Sequence, residues 1–188
     1  MKKTIAIIAS AAMLIGLAAC GSTTASEEPT PTKTPTTATP TKTAEKNERG
    51  HLVKHIGDTA MYTKSQSSTE PLAEWTATDI TIDYQCTADY SEQSHNGHYV
   101  AVNFDVQTQP EFTQSSLYLG AMGGWKYIQK DGTMWNGIPE AETVCMPQEE
   151  QLPGSIGAGV KAQGKVLFDL PTTDGYLVYD DTWEYPLS

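Results

Sequence analysis

Four histidines are the residues of this chain best suited to acid–base chemistry or metal binding. His51 and His55 are four positions apart. That spacing brings two metal ligands together on a helix, whereas the nearby Gly57-Asp58 and the surrounding pattern favour strand and loop. We therefore interpret this first pair as solvated loop residues.

The second histidine pair, His95 and His98, flanks a turn. Asp89 or Glu92 would be the nearest third ligand for a shared metal ion. A zinc site needs three or four ligands at a defined spacing, and no such spacing is present. The sequence therefore predicts no metal site at this turn.

Two acidic pairs, Asp180-Asp181 and Glu149-Glu150, are candidate calcium ligands. Calcium takes about six to eight oxygens, and no Asp-x-Asp-x-Asp-Gly spacing accompanies either pair. The glycine-rich stretch 120–124 lacks the Lys-Ser/Thr of a phosphate loop, so we predict a flexible connector there. The chain also has no Gly-x-Ser-x-Gly elbow. We predict no catalytic residue, no metal and no cofactor, and hence a protein that is not an enzyme.

Large aromatic side chains offer a different kind of chemistry, the stacking of sugar rings on an exposed face. Aromatics of a β-sandwich more often fill its core, and we take core packing as the default. An exposed coplanar pair would instead indicate a glycan-binding face. The residues concerned are Trp75, Trp125, Trp135, Trp183, Tyr118, Tyr127, Tyr176, Tyr179 and Tyr185.

Three classes of function therefore stay open. The favoured hypothesis is a tethered, non-catalytic interaction module for an envelope protein or a cell-wall partner. The second is a glycan-binding or peptidoglycan-binding domain, which requires exposed aromatic rings. The third is a small hydrolase or metal-dependent enzyme, which requires converging histidines and carboxylates in a pocket.

The first 19 residues have the order of a lipoprotein export signal. Lys2 and Lys3 precede an apolar run of about 13 residues, Ile5 to Leu17, and the box Leu17-Ala18-Ala19-Cys20 follows. This order predicts cleavage before Cys20 and acyl chains, palmitate among them, on that cysteine. The alternative is a transmembrane helix, but the run is shorter than the roughly 20 residues that span a bilayer. We expect a membrane-anchored protein on the extracellular side.

Charge limits the range of partners. The chain has 12 lysines and arginines against 23 acidic residues, and loss of Lys2 and Lys3 with the signal leaves ten bases and a net charge of −13. Residues 50–188 contain six lysines, no arginine and 19 acidic residues. Such a surface repels phosphate backbones, so nucleic acid is excluded as a partner.

Residues 20–49 contain the lipidated N-terminus followed by a Thr/Pro-rich tract. This tract has almost no apolar side chain to bury, and its prolines favour extended geometry. We predict a disordered linker that holds the following domain away from the membrane. Threonines beside prolines also suit O-glycosylation, which stays open.

From residue 50 onward, short apolar runs alternate with turn residues. Period-two alternation indicates half-buried strands, and Asn96-Gly97 and Asp131-Gly132 indicate turns. Cys86 shares the apolar face of the predicted strand 78–87. The predicted strands are 52–56 with a continuation through 60–62, 78–87, 99–108, 125–129, 133–136, 165–170 and 175–180.

Seven or eight short strands without a long helical period predict an all-β, immunoglobulin-like antiparallel β-sandwich over residues 50–188. A domain of this length is large enough for one core and too small for two. The least clear segments are 110–124, where a turn of helix is one option, and 137–155, which we predict to be a long loop.

The cysteines divide by role. Cys20 is assigned to the lipid, which leaves Cys86 and Cys145 as a pair in a compartment where disulfides persist. We predict a disulfide that either crosses the core or holds the 137–155 loop to it. The alternative is two separate buried thiols.

Four segments occur in the order typical of a known family: Ile56 to Ala60, Trp75 to Ile82, Gly97 to Val106 and Gly159 to Pro171. Over roughly residues 51–186 the chain resembles the telokin-like, immunoglobulin-like domains of bacterial lipoproteins of unknown function. The resemblance implies an immunoglobulin-like sandwich on the outer surface of a Gram-positive cell. It implies no catalytic residues, because that family has no established catalytic motif.

Overall fold

Two four-stranded β-sheets form the structure, a computed structural model that describes residues 46–113, 116–120, 123–141 and 145–188. One sheet has the strand order β1-β8-β7-β5 and the other β2-β3-β4-β6. The strands are β1 (Leu52–Val53), β2 (Thr59–Thr63), β3 (Pro71–Ile82), β4 (His98–Thr108), β5 (Trp125–Ile128), β6 (Lys161–Leu170), β7 (Tyr176–Tyr179) and β8 (Trp183–Pro186).

This architecture confirms the predicted all-β, immunoglobulin-like sandwich. Every strand pair is antiparallel except β1 and β8, which are parallel. Within the described ranges the sole helical element is a 3₁₀ turn, Gln148–Glu150, in the predicted 137–155 loop. No described helix is long and apolar enough to cross a membrane. The predicted signal peptide, Cys20 and nearly all of the linker lie outside the described residues.

The alternating residues of β4 and β6 face the core as predicted. Val100, Val102, Phe104 and Val106 are buried on β4, and Val166, Phe168 and Leu170 are buried on β6. Strand β6 begins at Lys161, four residues before the predicted start. Its first half lacks large apolar residues, so only pairing with β4 identifies it as strand.

The predicted strand 78–87 is wrong in its bounds. Strand β3 starts at Pro71, and the pairing shifts between Ala77 and Asp79, so Thr78 is an extra bulge residue. Asp83 has a φ of 52°, a left-handed conformation that ends the strand after Ile82. The chain leaves the sheet there, and Tyr84 and Cys86 are not strand residues.

The hairpin around Asp131-Gly132 forms only in part. The Gln129 N–H donates to the Thr133 carbonyl oxygen at 2.9 Å, and Gly132 has a φ of 89°. The predicted second arm, 133–136, contributes a single bridge from Met134 to Ile128 instead of a strand. Gly137 and Pro139 follow closely, and neither residue type favours continuation of a ladder.

Aromatic rings dominate the core between the sheets. Trp75 lies against Trp183 with ring centroids 4.7 Å apart, and its Nε1–H donates to the Tyr185 hydroxyl at 2.9 Å. Trp125 contacts Phe168 at a centroid distance of 5.1 Å. These contacts join the two sheets, because Trp75 and Phe168 belong to one sheet and the other three rings to its partner.

Cys86 and Cys145 form a disulfide, as the sequence predicts. The bridge does not cross the core between the sheets. Cys145 and Met146 pack with Tyr99, Ala101 and Leu167, which alternate with the core residues of β4 and β6 and so lie on the outer face of that sheet. The disulfide therefore holds the 137–155 loop over one half of this outer face, and the predicted inward position of Cys86 is wrong.

Candidate functional site

The histidines considered as metal ligands, His95 and His98, lie in separate surroundings. His98 Nδ1 is 2.6 Å from Asp83 Oδ1, so its acidic neighbour is Asp83 and not Asp89 or Glu92. His95 Nε2 is 3.9 Å from Glu92 Oε2, and both side chains are exposed. Within the described ranges, no three histidine, cysteine or acidic residues form a group that could hold a metal ion.

The acidic pairs do not converge on a common point either. Asp180 accepts a hydrogen bond from the Tyr62 hydroxyl at 2.8 Å, whereas Asp181 pairs with Lys126 at 2.5 Å. Glu150 pairs with Lys165 at 2.5 Å, and Glu149 is exposed. Each carboxylate has its own separate surroundings, so the geometry gives none of them a shared calcium site.

The glycine-rich stretch falls partly outside the described residues. Gly120, Gly123 and Gly124 are described and precede β5, with Gly124 at a φ of 77°, whereas Ala121 and Met122 are not described. The predicted flexible connector stays a prediction.

Core packing is confirmed for most of the aromatic residues that we considered for sugar stacking. Trp135 and Tyr176 are partly buried, and Tyr118 is exposed. The fully buried members are Trp75, Trp125, Trp183, Tyr127, Tyr179 and Tyr185. Six of the nine rings are therefore unavailable to a ligand.

A buried carboxylate that the sequence analysis did not single out organises the entry of the chain into the sandwich. Glu184 lies between the core residues Trp183 and Tyr185, so it faces the outer side of its sheet, yet only 1% of its side chain is exposed. Residues 46–53, which we call the N-terminal strap, cover it. The strap includes β1 and the last four residues of the predicted linker.

All the side-chain partners of Glu184 come from this strap. Arg49 donates from Nε at 2.9 Å and from Nη2 at 2.5 Å, and its guanidinium also lies 4.4 Å from the Tyr176 ring centre. The Asn47 amide donates at 2.9 Å, and His51 Nδ1 lies 2.9 Å from the carboxylate. The His51 side chain is only 13% exposed, so its interpretation as a solvated residue is wrong. Burial opposes ionisation of Glu184, but these hydrogen bonds outweigh it and hold its pKa below the ordinary value.

The other unexpected feature is the half of the β2-β3-β4-β6 outer face that the disulfide-held loop leaves bare. Its side chains form cross-strand rows, because the pairing register sets them opposite one another. The first row consists of Glu74, Gln107 and Lys161, and the second of Thr59, Thr76, Asp105 and Gln163. On β2 the first row is continued by Met61, which is 37% exposed and lies outside the cavity that the two rows line.

These two rows line a shallow cavity of about 540 Å³, which we call the polar groove. The same strands carry apolar residues, Tyr99, Ala101 and Leu167, where the loop covers the face. The face is therefore apolar under the loop and polar in the groove. The groove presents carboxylate, amide, hydroxyl and ammonium groups to solvent, a set that binds by hydrogen bonds and charge.

The two features lie on opposite sides of the sandwich. The strap covers the outer face of one sheet, and the polar groove is on the outer face of the other. Polar residues at alternate positions of β3, β4 and β6 were visible in the sequence. Their assembly into rows was not, because it depends on which strands are neighbours.

No protein-family model matches this chain. A comparison with curated proteins gives no match either. Among solved structures, the chain is similar to a secreted protein from Mycobacterium tuberculosis, MPT63, with 14% sequence identity and a TM-score of 0.46. The similarity covers 72% of this chain and 97% of that one. At this level it carries no inference about function.

Proposed function

We propose that this protein is a lipid-anchored, extracellular, non-catalytic binding module that engages a cell-envelope partner through the polar groove. The observation that carries the proposal is the division of one sheet face into an apolar half under the loop and a bare polar half. Anchoring through Cys20 and membership of the telokin-like lipoprotein family are parts of the proposal that rest on the sequence.

The position of the strap supports a display role. The linker joins the sandwich at the strap, on the side opposite to the groove. A module held in this way keeps its groove away from the point of attachment. The strap fixes the point at which the linker joins the sandwich, because Glu184 binds three of the strap's residues.

A non-catalytic role is supported by how the titratable groups are used. The carboxylate of Glu184 is held by the strap, and that of Asp169 accepts from Ser94 Oγ at 2.5 Å and from the His95 N–H at 2.9 Å. The third buried acid among the described residues, Glu140, accepts from the Trp125 N–H at 3.2 Å, so all three carboxylates stabilise local structure. A general acid or base would need a cavity large enough for a substrate, and the cavity that Glu140 lines is only about 110 Å³.

The glycan-binding alternative loses its main premise, since most of the aromatic rings are in the core. Trp75 is among the residues that line the groove, but its side chain is 1% exposed and packs between the sheets. The groove therefore lacks the aromatic platform on which sugar rings stack. We retain cell-wall glycan as an outcome of the binding experiment below.

Replacing the predicted lipidation site, Cys20→Ala, is expected to move the protein from the membrane fraction to the soluble or secreted fraction. Without the thiol no acyl chain can be attached, and acyl chains supply the anchor. Cell fractionation with intact-mass analysis measures both location and modification. Ser22→Ala, next to the same box, is the matched control and should stay in the membrane. Persistence of Cys20→Ala in the membrane fraction would contradict the anchor.

Filling the polar groove is expected to weaken partner binding strongly. Thr76→Arg places a large side chain in the middle of the second row, and Thr69→Arg makes the same change on an exposed loop outside the groove. Detergent-solubilised full-length protein is immobilised and exposed to envelope proteins and to purified cell-wall glycan. We expect at least about tenfold lower retention of the partner by Thr76→Arg alone, since about 1.4 kcal/mol already corresponds to tenfold. Equal retention by both variants, or none by the wild type, would overturn the proposal.

A further inference from the structure

The first row of the polar groove has opposite charges at its two ends. Glu74 lies on β3, Gln107 on β4 and Lys161 on β6, in direct cross-strand register. Neighbouring strands are about 4.8 Å apart, so the backbones at Glu74 and Lys161 are about 10 Å apart. The amide of Gln107 stands between them. The row therefore presents a negative, a neutral and a positive group in sequence.

The two rows differ in how their side chains are used. In the second row, Gln163 Nε2 donates to Asp105 Oδ1 at 2.7 Å, and the hydroxyls of Thr59 and Thr76 are 3.1 Å apart. Glu74, Gln107 and Lys161 have no side-chain hydrogen bond or ion pair with another residue in the described part of the chain. The polar groups of the first row are therefore available to a partner outside the sandwich.

We propose that this row binds an extended peptide segment that carries a basic and an acidic side chain on the same face, an inference that rests on the proposed function of the groove. The basic side chain pairs with Glu74 and the acidic one with Lys161. The Gln107 amide can both donate to and accept from the peptide backbone between them. In an extended peptide, residues two or four apart lie on one face, about 7 or 13 Å apart, which brackets the spacing of the row.

Charge complementarity favours this occupant over a neutral glycan. Sugar hydroxyls leave both Glu74 and Lys161 without a counter-charge, and the groove has no exposed ring for stacking. A nucleic acid would face the net charge of −13 carried by residues 50–188. A zwitterionic peptide neutralises both ends of the row at once.

The test uses detergent-solubilised full-length protein and synthetic hexapeptides in a serine background. One peptide has Lys and Glu two positions apart, a second has them three apart and therefore on opposite faces, and a third has Gln at both positions. We expect the first to bind at least about fivefold more tightly than the other two, because only it reaches both charges from one face. An oligomer of N-acetylglucosamine is the neutral glycan probe.

Charge reversal supplies the second arm of the test. Glu74→Lys and Lys161→Glu are each expected to weaken the first peptide by about three- to thirtyfold, because each converts an attraction into a repulsion. The double variant restores opposite charges in reversed order, so the peptide binds in the opposite direction, within about threefold of the wild type. Glu111→Lys and Lys130→Glu, at exposed positions outside the groove, are the matched controls and should change nothing.

Three results would overturn this inference: equal binding of the three peptides, a double variant as weak as the single ones, or binding of the sugar oligomer alone. Its failure can be distinguished from failure of the proposed function. If Thr76→Arg abolishes partner retention while the charge reversals have no effect, the groove is a binding site with a different ligand.

Discussion

Replacing Cys86 and Cys145 together by alanine is expected to lower the free energy of unfolding by about 4 kcal/mol. The cysteines are 59 positions apart, and closing a loop of that length removes about this much chain entropy from the unfolded state. Typical domains are stable by only about 5–15 kcal/mol, so the loss is large. Urea unfolding followed by tryptophan fluorescence measures it, because three of the four tryptophans are in the core.

A local effect should accompany the global one. The disulfide holds Cys145 and Met146 against Ala101 and Leu167, so its loss frees part of the loop from the sheet. Hydrogen exchange at the Ala141 and Leu152 amides, which donate to β6, should increase more than exchange in the centre of β4. Wild-type protein treated with a reductant is the matched control and should behave like the double variant. A loss of less than about 1 kcal/mol would contradict the structural role of the bridge.

The second large effect is expected at Glu184. Glu184→Ala leaves Arg49 without its buried counter-charge and removes the main contact of the strap. Breaking a buried ion pair from one side costs about 3–5 kcal/mol, and we expect about 3 kcal/mol here because the Arg49 side chain is 35% exposed and can regain water. Denaturant unfolding measures the loss. Glu149→Ala removes an exposed acid and should change stability by less than about 0.5 kcal/mol.

The same carboxylate makes stability depend on pH. Its pKa in the folded protein is lower than the ordinary value of 4.5, so the unfolded state takes up a proton more readily than the folded state does. The stabilisation is complete at neutral pH and is lost as the pH falls below about 4.5 through the folded-state pKa. In Glu184→Gln, the free energy of unfolding should depend less on pH below about 4.5. If the variant loses stability at low pH as the wild type does, other titratable groups dominate this pH dependence.

Several elements follow from residues that are close together in the sequence. The alternation of Val100, Val102, Phe104 and Val106 predicts both the strand and its buried face, because successive side chains of a strand point to opposite sides. The cysteine pair follows from the predicted export signal, because a lipid on Cys20 would leave Cys86 and Cys145 as a pair in an oxidising compartment.

Other elements were missed or misplaced for a physical reason. Strand β8 has only four residues and ends in Pro186, so local propensity does not identify it. Pairing with β1 and β7 on either side makes it a strand. The bulge at Thr78 and the left-handed Asp83 similarly depend on contacts with β4 and with His98. Tertiary pairing overrides local preference in each case.

The sequence by itself determined the class of the fold, the acidic charge and the pairing of two cysteines, and it predicts the anchor and the linker. Each of these depends on composition or on short-range periodicity. Only the tertiary structure decided that Glu184 binds Asn47, 137 positions away, and that Glu74, Gln107 and Lys161 form one row. Alternation decides which side chains share the face of one strand, but the order of strands in a sheet is set by packing across the whole core. The candidate binding groove is a product of that order.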